Sequence, residues 1–328
     1  KATSHWLRNP KIKFLEIRKY AYLLSGTMIV ISIISMAFRG FDYGIDFKGG
    51  RTYNVRFDQD VKVADVQKAL TGVFESAPEV KTFGTANQVR ITTTFKVEDM
   101  TDDADAEVEQ ALFKGLTDGG FLKNVPFETF ISNYRMSSQK VGPTISDDIK
   151  RGAVIAVICA LLAIFLYIVV RFTNWQYGLG GIISLAHDAI ITMGLFSLLW
   201  GHLPFSLEVD QSFIAAILTV IGYSINDTVI IYDRIREYLH LYPKRDEAEI
   251  MDKAMNSTLR RTFSTSLTVL IVLVAIFLFG GASIRGFIFA LLFGIFTGTY
   301  SSVFVATPVV YDTIRLTRKK AAKKALAK

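Results

Sequence analysis

Apolar residues fall into six long runs: 20–38, 153–170, 177–200, 211–232, 262–284 and 286–311. A bilayer core of ~30 Å is crossed by about 20 apolar residues in helix, and each run is of that order. Among Asp, Glu, Lys, Arg and His, only His187, Asp188 and Asp227 interrupt the runs. The pattern predicts an α-helical polytopic membrane protein with six transmembrane helices. The first run is too long for the apolar stretch of a cleaved signal peptide, although Ser35-Met36-Ala37 resembles a cleavage site. The chain begins at Lys1 rather than Met, so it reads as trimmed or as part of a longer polypeptide.

Segment 39–149, between the first two runs, changes period several times. Residues 51–57 alternate as a strand does. Residues 61–76 place Val63, Val66, Ala69, Leu70, Val73 and Phe74 at helical spacing. Residues 81–85 and 88–95 read as two strands around a tight turn at Ala86-Asn87. Residues 103–117 read as a helix with an acidic start, which suits its N-terminus. Residues 127–140 read as a last, longer strand. The order β-α-β-β-α-β is that of an α+β ferredoxin-like domain. About a hundred residues suffice for such a core.

Composition supports this reading: 51% of the residues are hydrophobic, which is high for a soluble domain. Charge then sets the predicted orientation. Residues 1–19 carry six Lys and Arg, loop 233–261 seven, and tail 312–328 seven, whereas loop 201–210 carries none. Basic short loops stay cytoplasmic, so both termini are expected there and 39–149 outside. That external segment holds 13 basic and 18 acidic residues, so the overall charge of +7 belongs to the inner membrane face. Membrane lipid, rather than nucleic acid, is the partner that this distribution predicts. The single Cys159 excludes an internal disulfide and a multi-thiolate metal site, and reads as a small core residue. No Walker loop, metal-ligand spacing or nucleophile elbow is present, so neither enzyme chemistry nor a metal site is expected.

The chemistry lies in the charged residues inside the runs. A carboxylate at membrane depth costs about 2.5–3.5 kcal/mol on insertion scales. Asp188 lies about eleven residues, roughly 16 Å, from the inner end of its helix. Asp227 lies about six residues, roughly 9 Å, from the charged cluster that starts at Asp233. Tyr223, Asp227, Ile230 and Arg234 share one helical stripe, with Ser224 and Asn226 beside it. The fifth run opens with Arg260, Arg261 and Thr262 and is rich in hydroxyls. One of these arginines is expected to pair with Asp227, by a buried ion pair that is either static or able to exchange a proton. His187 and Asp188 fit a packing role as well as a functional one. Gly49-Gly50 reads as a tight turn before a strand, and Gly294/Gly298 as a helix-packing face.

Two stretches together, FDYGIDFKGG at 41–50 and GYSINDTVIIYDRIRE at 222–237, resemble the SecF family of the bacterial SecD–SecF protein-export complex. Val141-Gly142-Pro143, Ala186-His187-Asp188, TLRRT at 258–262, Phe279-Gly280-Gly281 and GTYSSVFVATP at 298–308 add to the resemblance. Residues 144–148 depart from the family pattern. The resemblance implies six helices forming half of a resistance-nodulation-division-type transporter, completed by SecD or by a SecD half of the same chain. It implies an accessory, non-enzymatic subunit in the bacterial inner membrane that works with SecYEG, YajC and YidC on unfolded preprotein. The implied coupling ion is a proton or sodium, with no other cofactor. The ion-pathway residues map onto Asp227 and Arg261, with Asp188 as a further candidate and Asn226, Tyr223, His187, Arg260 and Thr262 as supporting polar groups. A small-molecule or lipid exporter of the same superfamily is the alternative, and a passive assembly factor a third reading. The single external segment is small for such an exporter.

Overall fold

A computed structural model of the chain describes residues 10–74, 76–99 and 101–326. Among the described residues, six helices are long and apolar enough to cross a membrane. They are α1 (Phe14–Phe38), α6 (Pro143–Phe172), α7 (Trp175–Leu199), α8 (Gln211–Leu241), α9 (Glu247–Phe279) and the pair α10 (Arg285–Ser301) and α11 (Thr307–Leu326). A π-helical turn, Ser302–Ala306, joins the last two. Asp210 opens α8 by accepting from the Phe213 N–H at 2.7 Å, and Asp246 opens α9 in the same way.

The helices are unequal in depth. Helix α7 packs against α1, α6, α8 and α10 and forms the centre. Only 6% of the apolar window of α6 and 17% of that of α9 are buried. Those helices therefore present most of their apolar side chains outward, as a bilayer permits. Cys159 lies on the exposed side of α6 and is not the core residue that its size suggests. Close approach at the centre depends on missing side chains. A Cβ on Gly294 of α10 would stand 2.2 Å from Val220 Cγ2 of α8, so the G-x-x-x-G face packs within the chain.

The inserted domain is a four-stranded antiparallel sheet of order β2-β3-β1-β4. Its strands are β1 (Gly50–Arg56), β2 (Glu79–Phe83), β3 (Thr85–Thr93) and β4 (Arg135–Val141). The helix α2 (Ile45–Lys48) precedes β1, and α3 (Val63–Thr71) and α4 (Asp102–Asp118) supply the two crossovers. Val66, Leu70, Val108, Leu112 and Leu116 of these crossovers pack on Tyr53, Val55, Val89 and Ile91 of the sheet. This is the split βαβ order that the sequence periods predict.

Two local expectations fail. The β2–β3 turn falls at Gly84, with φ +85°, and not at Ala86-Asn87, because glycine takes that conformation without a Cβ penalty. Residues 127–134 are helical, with the short helix α5 (Phe127–Thr129) followed by a π-turn. Phe127 and Phe130 both stack around Phe113 of α4, so a helical rather than an alternating spacing satisfies the core. Only the last part of that segment is strand.

The domain is fastened to the helical bundle at two places. Gly49 and Gly50 both have positive φ, and a Cβ at Gly50 would lie 2.6 Å from the Thr93 carbonyl oxygen. This turn brings β1 directly off the segment that follows α1. That segment bridges to the segment before α8: the Val209 N–H donates to the Asp42 carbonyl at 2.7 Å, and the Gly44 N–H to the Val209 carbonyl at 3.0 Å. Beside the bridge, Lys81 of β2 donates to Asp42 at 2.6 Å and to Glu208 at 3.1 Å. Arg90 of β3 meets the other Glu208 oxygen at 3.2 Å.

Burial alone would raise the Glu208 carboxyl, but Lys81 and Arg90 hold it below its ordinary 4.5. Burial works against the charge on Lys81, but Glu208 and Asp42 outweigh it and raise the ammonium above its ordinary 10.5. Burial pushes Asp42 above 3.8, so its own charge partly opposes the cluster. Because Glu208 is depressed, its contribution is complete above pH 4.5 and is lost as the pH falls further. Because Lys81 is raised, its contribution is complete below pH 10.5 and is lost as the pH rises through its folded value. Glu208→Gln is therefore expected to loosen the domain at neutral pH. Proximity labels on the domain and on α8 should report this loosening, and wild type should show it only in strong acid or strong alkali.

Candidate functional site

Two clusters of buried polar groups lie inside the helical bundle. The first is built around Asp188, whose side chain is fully buried on α7. His187 Nδ1 lies 2.9 Å from one carboxyl oxygen. Ser224 of α8 and Ser301 of α10 both donate to the other oxygen, at 2.7 and 2.8 Å. Ser184, one turn earlier on α7, donates to Ser301 at 2.9 Å. The short side chains matter here: each serine brings a hydroxyl to the carboxylate without forcing the helices apart. Gly298 of α10 completes the fit, since a Cβ there would stand 2.9 Å from Ser224 Oγ and 3.4 Å from Asp188 Oδ2. Three donors on one carboxylate offset much of the cost of burying it.

The second cluster surrounds Asp227, which is 2% exposed on α8. It is far less well provided. Ser266 of α9 donates to it at 3.5 Å, the limit of a hydrogen bond, and Thr299 of α10 donates in turn to Ser266 at 2.7 Å. The neighbouring Thr228 turns the other way and donates to Ser302 at 2.9 Å. Thr262 is buried one turn before Ser266 on α9, and its hydroxyl meets no partner among the described residues.

The expected ion pair is absent. Among the described residues no ion pair within 4.0 Å joins Asp227 to Arg260 or Arg261, and both arginines are exposed. Asn226 is exposed as well, and Tyr223 is half-buried with its hydroxyl unpartnered. The reason is positional. Asp227 turns inward toward Ser266, whereas Arg260 and Arg261 are exposed on the peripheral α9, from which Arg261 acts on Asp227 through its charge and not by contact. The structure thus brings together Asp227 with Ser266, and His187 with Asp188. It leaves Asn226, Arg260 and Arg261 on the outside. Sequence reasoning missed Ser184, Ser266, Ser301 and Thr299 as individual partners. The signal was present in the Ser301-Ser302 pair, which spacing alone shows only as a face of small residues.

The family described as protein export membrane protein SecD/SecF, C-terminal, matches residues 122–316, and the SecD/SecF GG motif matches residues 34–61. The protein translocase subunit SecF of Rhodothermus marinus is 42% identical over 97% of this chain and 97% of its own length. That of Haemophilus influenzae is 37% identical over 92% of this chain and 86% of its own. Among solved structures, SecDF from Thermus thermophilus, a translocon-associated membrane protein, superposes with a TM-score of 0.78 at 32% identity. The match takes in 94% of this chain and 40% of that one. SecDF in a super-membrane-facing form gives 0.65 at 32% identity.

Gly298→Ala should displace Ser224 from Asp188, because a contact under 3.0 Å must be relieved. Overpacking of this kind costs about 1–3 kcal/mol. The purified variant should unfold at a lower temperature than wild type, and Gly281→Ala, at a glycine with open space around it, should not.

Proposed function

The chain belongs to the SecF family of protein-export membrane proteins, and we propose that it couples an ion gradient to a late step of export through Asp227. It is an accessory subunit of Sec protein export. The observation that carries the coupling proposal is the poor provision for Asp227: a carboxyl side chain 2% exposed in a membrane bundle, met only by one hydrogen bond of 3.5 Å. An ionised carboxylate in that position is costly, and taking up a proton removes the cost. The contrast with Asp188, which accepts three hydrogen bonds, supports assigning exchange to Asp227.

In this reading the basic segments face the cytoplasm of the bacterial inner membrane, and the ferredoxin-like domain faces outward, where unfolded preprotein emerges from SecYEG. Exposed Asn226 and Arg261 lie on the outward faces of α8 and α9, where SecD would cover them. SecD then completes the site with groups of its own, and YajC and YidC belong to the wider assembly. The ion is a proton, or sodium in the same place. Uptake at Asp227 weakens its hold on α9 and lets α8 shift. Helix α8 starts at Gln211, beside Glu208 and the bridge to the domain, so the shift reaches the domain directly.

The test is Asp227→Asn in vesicles that carry the whole export complex. With a gradient imposed, wild type should export more preprotein than without it, and Asp227→Asn should export the same amount in both conditions. Retention of SecD in the purified variant shows that it has folded. Undiminished gradient stimulation in the variant would remove Asp227 from the coupling step.

A further inference from the structure

Beyond Asp227, one titratable pair in the bundle remains unused. His187 is 2% exposed, and its Nε2 meets no partner among the described residues, while Nδ1 lies 2.9 Å from Asp188. We infer that the His187–Asp188 pair is a second proton-loading site of this chain, with His187 Nε2 as the atom that takes the proton. The inference rests on the reading that the bundle is ion-coupled, but it concerns different residues.

The argument follows from charge. Ser224 and Ser301 both donate to Asp188 Oδ2, and His187 Nδ1 lies 2.9 Å from Oδ1; in the Nδ1–H tautomer, which is the one inferred, it completes three donors on an ionised carboxylate. With a neutral imidazole the pair carries one buried negative charge. A proton on Nε2 makes it imidazolium and carboxylate, with no net charge. The N–H bond forms as an O–H bond of the delivering hydronium or water breaks, and no bond within the chain is broken. An unpartnered buried nitrogen costs about 1–3 kcal/mol, so a cost remains in either state and neither is locked in.

The oxygens around Asp188 also favour a proton over a metal cation. Ser184, Ser224, Ser301 and Asp188 approach one another at 2.7–2.9 Å, the separations of hydrogen bonds. A dehydrated cation would have to push them apart.

The groups facing the pair come from three helices. Helix α10 contributes Tyr300, whose ring stacks on His187 at 6.0 Å, together with Ser301. Helix α8 contributes Ser224, with Asp227 three positions further on. From α1, the Ser25 hydroxyl and the Ala21 carbonyl meet the Tyr300 hydroxyl, each at 3.2 Å. Helix α6, also packed on α7, contributes apolar side chains such as Leu161 and Ile164 to the surrounding core, and the π-turn Ser302–Ala306 and α11 bring Ala306 and Val310 against α7 at Gly180. The pair thus ties α7, α8 and α10 together, and its charge sets how firmly Ser224 holds α8. Loading this site biases the same helix that carries Asp227.

Nitrogen-15 magnetic resonance of imidazole-labelled complex in lipid, recorded from acid to alkaline pH, tests the assignment. The sequence has four histidines, and the His187→Gln variant identifies the signal. His187 should pass from a neutral Nδ1–H form to a doubly protonated form as the pH falls. Asp188→Asn should alter that transition, because the anion that holds the imidazolium is gone. Asp227→Asn should leave the transition in place, so this result stands or falls apart from the export assay. His187→Gln should also lower gradient-stimulated export several-fold. A His187 signal that keeps one protonation state throughout, a midpoint indifferent to Asp188→Asn, or undiminished stimulation in His187→Gln would each overturn the proposal.

Discussion

The burial of two carboxylates in a largely apolar helical bundle is the constraint on which the rest of this structure depends. Water is excluded, so each carboxyl group must find donors inside the chain or take up a proton. Asp188 finds donors: His187 beside it, and serines from α8 and α10. That solution requires α7, α8 and α10 to lie close together, which in turn requires glycine at 294 and 298. Asp227 has no such set, so the two buried carboxyl groups differ in how well the chain provides for them.

The same helices carry the consequence to the domain. Helix α8 begins immediately after Glu208 and the bridge at Val209, and contains Ser224, Asp227 and Thr228. A change in the charge at Asp227 therefore acts on an element whose first turn is bonded to the domain's root. The domain also leans on that root through Lys81 and Arg90, so the connection is electrostatic as well as covalent. Coupling across the membrane then needs only a shift of one helix, held between two polar clusters and an ionic cluster. Transmission through packed helices and bonded networks of this kind is a physical route for coupling.

Much of the fold was legible because its signals are strong and local. Six apolar runs give six helices, and the change of period between residues 51 and 117 gives the split βαβ order. The parts that were not legible depend on which surfaces meet. Phe127 and Phe130 are compatible with a strand until Phe113 is placed between them. Cys159 looks like a core residue until α6 is found at the periphery. At the site, the cost of a buried carboxylate singled out Asp188 and Asp227 from sequence alone. Their partners did not follow, because a serine 36 positions away and another 113 positions away become neighbours only through helix packing. Arg261 acts on Asp227 by its charge without a contact within 4.0 Å among the described residues, because proximity in depth does not fix the direction in which a side chain points.

The central claim is that the charge of Asp227 governs the position of the domain relative to the bundle. Spin labels at Lys114→Cys on α4 and His240→Cys at the far end of α8, with Cys159→Ser removing the one natural thiol, allow that distance to be measured in the full complex in vesicles. The account predicts that an imposed gradient changes the distance distribution, and that Asp227→Asn fixes it in one state whether or not a gradient is present. A distribution that responds to the gradient identically with and without the Asp227 carboxylate would contradict it.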